Sequence, residues 1–299
     1  MDLDAAQILE KIRTVPDEHR RFREPVGTAQ RQYGISMALL ESLVRQGLPV
    51  ERRDEGLFFD PFDLSNVSLH LRLPSVQRMA MRSWSRTLEL ASSETLHEAL
   101  IVLDAVDSAE QQADGPPTVL KLELRQPDDA ALNALGQLQT LLESVARQRF
   151  FMLPEACRWN TKFLIEHCIS ECGGASKLLV ETARRNGLSA RHCFGILIAA
   201  PYSTGHFWAE IKTTSGWVAF DPLLIKLLHQ ATRLDNAKWP LHRSPGAAFH
   251  RLLTIDDYDH HGAPILQGYA DVPFMSNLVR VQGNLLTPLS LSTTLVAKT

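Results

Sequence analysis

Cys172-Gly173-Gly174-Ala175-Ser176-Lys177-Leu178-Leu179-Val180-Glu181-Thr182-Ala183-Arg184-Arg185-Asn186-Gly187 carries Leu178, Leu179, Thr182 and Ala183 at helical spacing, with a glycine just past the end. The pattern predicts a helix that opens on Cys172. At a helix start, unpaired N–H groups and the positive end of the macrodipole favour a thiolate, the form of cysteine that attacks a carbonyl carbon. Downstream, Ala190 to Ile198, His206-Phe207-Trp208-Ala209-Glu210-Ile211-Lys212 and Trp217-Val218-Ala219-Phe220-Asp221 read as three strands. A two-residue turn at Thr213-Thr214 sets His206 directly opposite Asp221, whereas a four-residue turn, Thr213 to Gly216, makes them diagonal neighbours. Both registers leave the two side chains on one face, with Cβ atoms roughly 5–8 Å apart. A thiolate, an imidazole and a carboxylate to orient that imidazole are the groups that nucleophilic acyl transfer requires.

Taken together these segments resemble the transglutaminase-like cysteine enzyme family. There the nucleophile opens a helix, and a Gly-hydrophobic-x-Ala-Arg segment, here Gly187-Leu188-Ser189-Ala190-Arg191, enters a strand. The histidine begins a strand reading His-x-Trp-x-Glu, and the aspartate ends one reading Gly-Trp-x-x-Phe-Asp-Pro, here Gly216 to Pro222. The resemblance implies an α+β, papain-like domain with a helix-borne cysteine packed on an antiparallel sheet. It also implies Cys172 as nucleophile, His206 as general base and then acid, Asp221 as the group that fixes the imidazole, and neither cofactor nor metal. Trp208 and Trp217 are expected to pack around the site and bind substrate. The implied chemistry is an acyl-Cys thioester made from an amide or thioester donor, carrier-bound or free, and passed to an amine, as in bacterial natural-product pathways. Passage to water, as in a peptidase or amidase, is the alternative. Two positions depart from the family: Ser170 stands where glycine is usual, and Glu171 places an acid beside the thiol, which works against a thiolate.

The N-terminal quarter reads differently. Ala5, Ile8, Leu9 and Ile12 predict a short helix, followed by a charged, solvated connector from Asp17 to Glu24. A helix from Val26, a turn at Gly34-Ile35-Ser36, a second helix stopped by Gly47-Leu48-Pro49, a hairpin around Glu51 to Gly56 and a helix start at Asp60-Pro61 follow. That order, over residues 26–72, resembles the winged helix-turn-helix of the excisionase and MerR type, whose second helix enters the major groove. Here the outward positions of that helix, Met37, Ala38, Glu41, Ser42 and Arg45, offer one base and one acid, and phosphate tracking needs a cationic face. Docking a protein, with small-substrate chemistry independent of the module, is the expectation. A DNA-binding or scaffold protein without catalysis is the competing class.

Four segments are expected: residues 1–25, a helix and connector; 26–72, the winged-helix-like module; 73–117, a helical linker ending at Gly115-Pro116-Pro117; and 118–299, the catalytic domain. Thr118 to Leu124 alternates like a strand, and Leu285 to Val296 reads as irregular or edge structure. Of 299 residues, 44% are hydrophobic and 22% charged, with 31 basic against 34 acidic, a balance that excludes whole-protein attraction to nucleic acid or membrane. No window reaches the roughly 18 apolar residues of a membrane span, and Met1-Asp2-Leu3-Asp4 does not begin a signal peptide, so a cytoplasmic protein with free thiols is expected. Cys157, Cys168 and Cys193 are read as core packing. A zinc set of Cys168, Cys172, His192 and Cys193 lacks a usual spacing, and Asp256 to His261 reads as a solvated loop.

Overall fold

The computed structural model describes residues 3–91, 97–103, 118–124, 136–199, 203–214, 216–265, 280–282 and 289–293. The helix Cys172–Arg185 opens on the cysteine and ends before Gly187, whose φ of 78° is the left-handed conformation that closes a helix. Strands Ala190–Leu197, Thr204–Thr213 and Gly216–Phe220 run antiparallel. Alternation turns Ala209 and Ile211 towards the helix, where they share one core with Leu178, Leu179, Ala183, Val218 and Phe220. Each of the larger side chains, Ile211, Leu178, Leu179, Val218 and Phe220, contributes about 1.5–3 kcal/mol on removal from water.

A fourth strand, Phe249–Ile255, pairs with Ala190–Leu197 and completes the sheet. Its alternation is interrupted by a register shift between Arg251 and Leu253, which hides a period of two from sequence reading. A second sheet runs in the order Arg280–Gln282, Leu289–Thr293, His97–Leu103, Thr118–Leu124. Here two expectations change. The segment read as a helical linker holds the strand His97–Leu103 after the helix Val76–Ala91, and the C-terminal stretch holds an interior strand, Leu289–Thr293, paired parallel with it. Parallel pairing between distant segments leaves no turn signal at either end. The Gly115-Pro116-Pro117 break lies outside the described residues.

The N-terminal elements follow in the order read: helices Ala5–Arg13, Val26–Tyr33 and Met37–Arg45, a hairpin of Glu51–Arg53 and Gly56–Phe59, and the helix Pro61–His70. Gly34, at φ 68°, makes the turn, where a Cβ would stand 2.3 Å from the Pro74 carbonyl oxygen. Met37, Ala38, Glu41 and Arg45 are exposed and Ser42 half-buried.

These elements do not have a core of their own. Ile8, Leu9, Leu43, Phe59 and Leu64 pack in one cluster with Phe151, Leu153, Leu164 and Ile169, of which Ile169 stands three positions before Cys172. Polar stitches accompany the packing. Asn66 donates to the Met152 carbonyl (3.0 Å) and accepts from its N–H (2.7 Å), and His70 Nε2 lies 2.9 Å from the Phe150 carbonyl. Burial holds His70 down at about 4, so the ring is neutral and its Nε2–H is the donor. The charged connector is also a correction. Arg20, expected in solvent, is buried and donates to Asp63 Oδ2 (2.9 Å) and to the carbonyls of Val15 (2.8 Å) and Ile12 (2.7 Å). Among the described residues no helix is long and apolar enough to cross a membrane.

Because the module shares its core with residues 151–169, we expect deletion of residues 1–72 to remove cooperative folding. Thermal melting followed by near-ultraviolet circular dichroism checks this. A sharp melt of residues 73–299 with a reactive Cys172 would show instead that the module is dispensable.

Candidate active site

Cys172 is the first residue of its helix, half-buried, and is preceded by an extended Glu171 whose side chain does not cap. His206 lies near the start of Thr204–Thr213. Asp221 follows Gly216–Phe220 and begins the helix Pro222–Ala231, with proline at its first position. Gly216 pairs with Thr213, so the wider turn is the one adopted and His206 and Asp221 are diagonal neighbours. His206 Nε2 and Asp221 Oδ2 are 2.6 Å apart, and the ring also hydrogen-bonds Cys172, leaving Nδ1 for the sulfur. Asp221 divides its oxygens: Oδ2 holds the imidazole, while Oδ1 accepts the Leu224 N–H at 2.8 Å and caps the following helix.

Burial works against a charged His206, but the hydrogen bonds to Asp221 and Cys172 and their negative charge outweigh it and raise the ring to about 10. It is therefore an imidazolium at neutral pH.

Two glycines explain how the chain closes over Cys172. A Cβ on Gly173 would stand 2.5 Å from the Trp159 ring, and one on Gly174 would stand 2.5 Å from both the Arg158 carbonyl oxygen and Leu164 Cδ1. Trp159 is thus seated on the first helical turn, edge-on to Phe207 with ring centroids 5.3 Å apart, in a cluster that includes Cys172. The acid beside the thiol is absorbed by the same segment. Glu171 is buried in an ion pair with Arg158; burial raises it to about 7, while Arg158 and the Leu153 backbone pull the other way. Ser170, fully buried, donates to the Glu171 carbonyl at 3.1 Å.

The two tryptophans are placed differently from each other. Trp208 is 1% exposed, packed on Phe249 at 4.8 Å, with Nε1 donating to Glu210 Oε1 at 3.3 Å. It backs the imidazole and offers no face to substrate. Trp217 pairs with Lys212, six residues along the strand from His206 and roughly 20 Å away at strand rise, under the Arg191 guanidinium. Trp208 stacks behind the His206 ring, with centroids 6.5 Å apart, while Trp217 lies away from it, and Trp159 is the tryptophan packed in the cluster with Cys172. Cys157 and Cys193 are buried as read, but Cys168 is exposed, because it terminates the helix Thr161–His167 in a left-handed conformation instead of continuing into the next. His192 and Cys193 are adjacent on a strand and face opposite ways, so the drawn zinc set does not converge. Among the described residues no group of three or more His, Cys, Asp or Glu is placed to hold a metal. In the 256–261 loop, Asp259 accepts from the N–H groups of His261 and Ala263, closing a turn, and Tyr258 points inward. Sequence reading gave Trp159, Arg158 and Ser176 no place at the site, and took His192 only as part of a zinc set and Tyr258 only as part of a solvated loop. The Gly173-Gly174 pair after the cysteine was the available signal for the first two, since paired glycines mark a close approach.

Residues 159–222 match the model of the transglutaminase-like superfamily. Among solved structures, "a putative cysteine protease from Cytophaga hutchinsonii" aligns at 14% identity and a TM-score of 0.30, over 42% of this chain and 39% of that one. The chain thus spans well under half of that protein's length. No curated protein matches the sequence.

Asp221 holds both the imidazole and a helix cap, and the two roles separate by substitution. Asp221→Asn retains a capping oxygen but loses the charge paired with His206, whereas Asp221→Ala loses the cap as well and should be less stable than Asp221→Asn by about 1 kcal/mol. Both should lower the pH at which His206 titrates. In the native protein the pair's contribution to stability is complete below the ordinary imidazole value of 6.5 and is lost as pH rises through about 10. Imidazole NMR reads the titration directly, and a wild-type midpoint near 6.5 would contradict this assignment of charge.

Proposed function

We propose that the protein is a cysteine acyltransferase. The observation that carries the reading is the buried run Asp221–His206–Cys172 ending on a helix N-terminus. In this reading the Cys172 thiolate attacks the carbonyl of an amide or thioester, forming a carbon–sulfur bond. The oxyanion is held by the Cys172 N–H at the helix start. Collapse breaks the bond to the leaving amine or thiol, which takes the proton from His206. An incoming amine then attacks the acyl-Cys thioester, gives its proton to His206 and leaves as an amide, returning the sulfur to its thiolate form.

Hydrolysis uses the same steps with water as acceptor. The surroundings of the sulfur favour the amine: Trp159, Phe207, Leu253 and Ile255 form an apolar cluster around Cys172, where water is a poor resident. Beyond Trp159 a polar cleft of about 1010 Å³ opens between residues 18–23 and 60–62 on one side and Arg158, Trp159 and Lys177 on the other. It has room for the remainder of a large donor, a carrier protein's arm included.

Incubation with simple thioesters and amides, followed by intact mass and peptide mapping, tests the reading. An acyl adduct on Cys172 that an added amine discharges as an amide is expected, preferably in a Cys168→Ser background because that thiol is exposed. Cys172→Ala should give no adduct, and His206→Ala should slow its formation by about a thousandfold or more. Turnover surviving in Cys172→Ala beyond a few per cent would rule out the nucleophile. Discharge as free acid regardless of added amine would assign the protein to the hydrolases.

A further inference from the structure

A second histidine lies behind the nucleophile. His192 is 0% exposed on Ala190–Leu197, and both of its ring nitrogens are engaged: Nε2 is 2.8 Å from Ser176 Oγ, and Nδ1 is 2.8 Å from the Tyr258 hydroxyl. Ser176 Oγ is also 2.6 Å from the Cys172 carbonyl oxygen and 3.0 Å from that of Gly173.

Proton counting gives every bond in this chain a direction. Carbonyl oxygens only accept, so the single Ser176 hydroxyl proton goes to the Cys172 and Gly173 carbonyls. Ser176 must then accept from His192 Nε2–H. Burial, followed by the charges of Lys177 and Arg184, holds His192 down at about 3, so the ring is neutral and carries one proton. Nδ1 is therefore an acceptor, and the Tyr258 O–H donates to it. Burial keeps that phenol protonated far above neutral pH. The chain runs Tyr258 to His192 to Ser176 to the carbonyls of the first helical turn.

Those carbonyls belong to the same peptide groups as the N–H of Gly173 and the N–H of Gly174. Both N–H groups lie in the first turn, where a helix has no internal acceptor for them. Hydrogen bonds in sequence polarise one another. A donor at the Cys172 carbonyl makes the Gly173 N–H a stronger donor towards negative charge on the sulfur or on the oxyanion. We propose that Ser176, His192 and Tyr258 are positioning residues, which polarise the first turn of the nucleophile helix and raise the reactivity of Cys172. The proposal rests on Cys172 being a reactive thiol, as in the function proposed above.

The surrounding charges are fixed in kind. The relay is faced by Lys177, Glu181 and Arg184 from the helix and by Asp256 from the loop. The nucleophile is faced by His206 and Asp221 from the sheet, and by Glu171 with Arg158 from the preceding turn. None of these is altered by removing a hydroxyl from Ser176 or Tyr258.

The test is the pH profile of Cys172 alkylation by iodoacetamide in the full-length protein with Cys168→Ser, quantified by peptide mapping and paired with thermal melting. Ser176→Ala, which removes the donor at the carbonyls, should slow alkylation at neutral pH by about 3- to 10-fold and displace the profile to higher pH. Tyr258→Phe, which removes only the far end, should act in the same direction by about twofold. A structural role alone would lower the melting temperature and leave the profile in place; that result in both variants, folded and alkylated as fast as wild type, overturns the proposal. A wild-type Cys172 no more reactive than a denatured thiol would overturn this proposal and the acyltransferase reading together.

Discussion

The absence of two β-carbons sets the form of the candidate site. Gly173 and Gly174 allow the segment from Arg158 to Leu164 to lie directly on the first turn of the helix that carries Cys172. Trp159 then covers the sulfur's surroundings, and Arg158 comes within reach of Glu171. An alanine at either position would force ring or backbone to move, and such overpacking usually costs 1–3 kcal/mol. Without that approach the acid next to the thiol would face the sulfur unpaired. With it, the acid belongs to Arg158.

Legibility followed the range of the interactions. The helix Cys172–Arg185 and the three strands around His206 were readable because each carries its own periodicity, and the short turn limited the register to two choices that kept His206 and Asp221 together. Phe249–Ile255 was not readable, since its register shift breaks the alternation, and neither was Leu289–Thr293, whose partner His97–Leu103 lies far away in the chain. The helix after Asp221 had a local signal that went unused: Asp followed by Pro is a capping residue and a first-turn residue in order.

Buried polar residues misled in the other direction. Arg20, Asp63, Asn66 and His70 look like surface residues by type, and each is enclosed. Asp63 is raised to about 7 by burial, with Arg20 opposing, so the pair is held with a desolvation cost that its hydrogen bonds and Coulomb attraction offset. Arg20 and Asp63 tie the N-terminal elements to one another, and Asn66 on Met152 with His70 on Phe150 tie them to the segment that leads to Cys172. Sequence composition cannot reveal this, because burial of a charge is decided by what folds over it.

The two histidines of the central sheet show the same principle within one site. His192 and His206 lie on neighbouring antiparallel strands, and both are almost fully removed from water, yet one is held near 3 and the other near 10. Burial alone would make both neutral. His192 meets a serine, a tyrosine and two nearby cations, so nothing repays a charge on its ring. His206 meets a carboxylate at 2.6 Å and a sulfur, and the charge is repaid. The neutral ring can only pass hydrogen-bond polarity from one neighbour to the next, and the charged ring can only give up a proton. Residue type offers the same imidazole to both tasks; the partner on the facing strand or loop assigns the task.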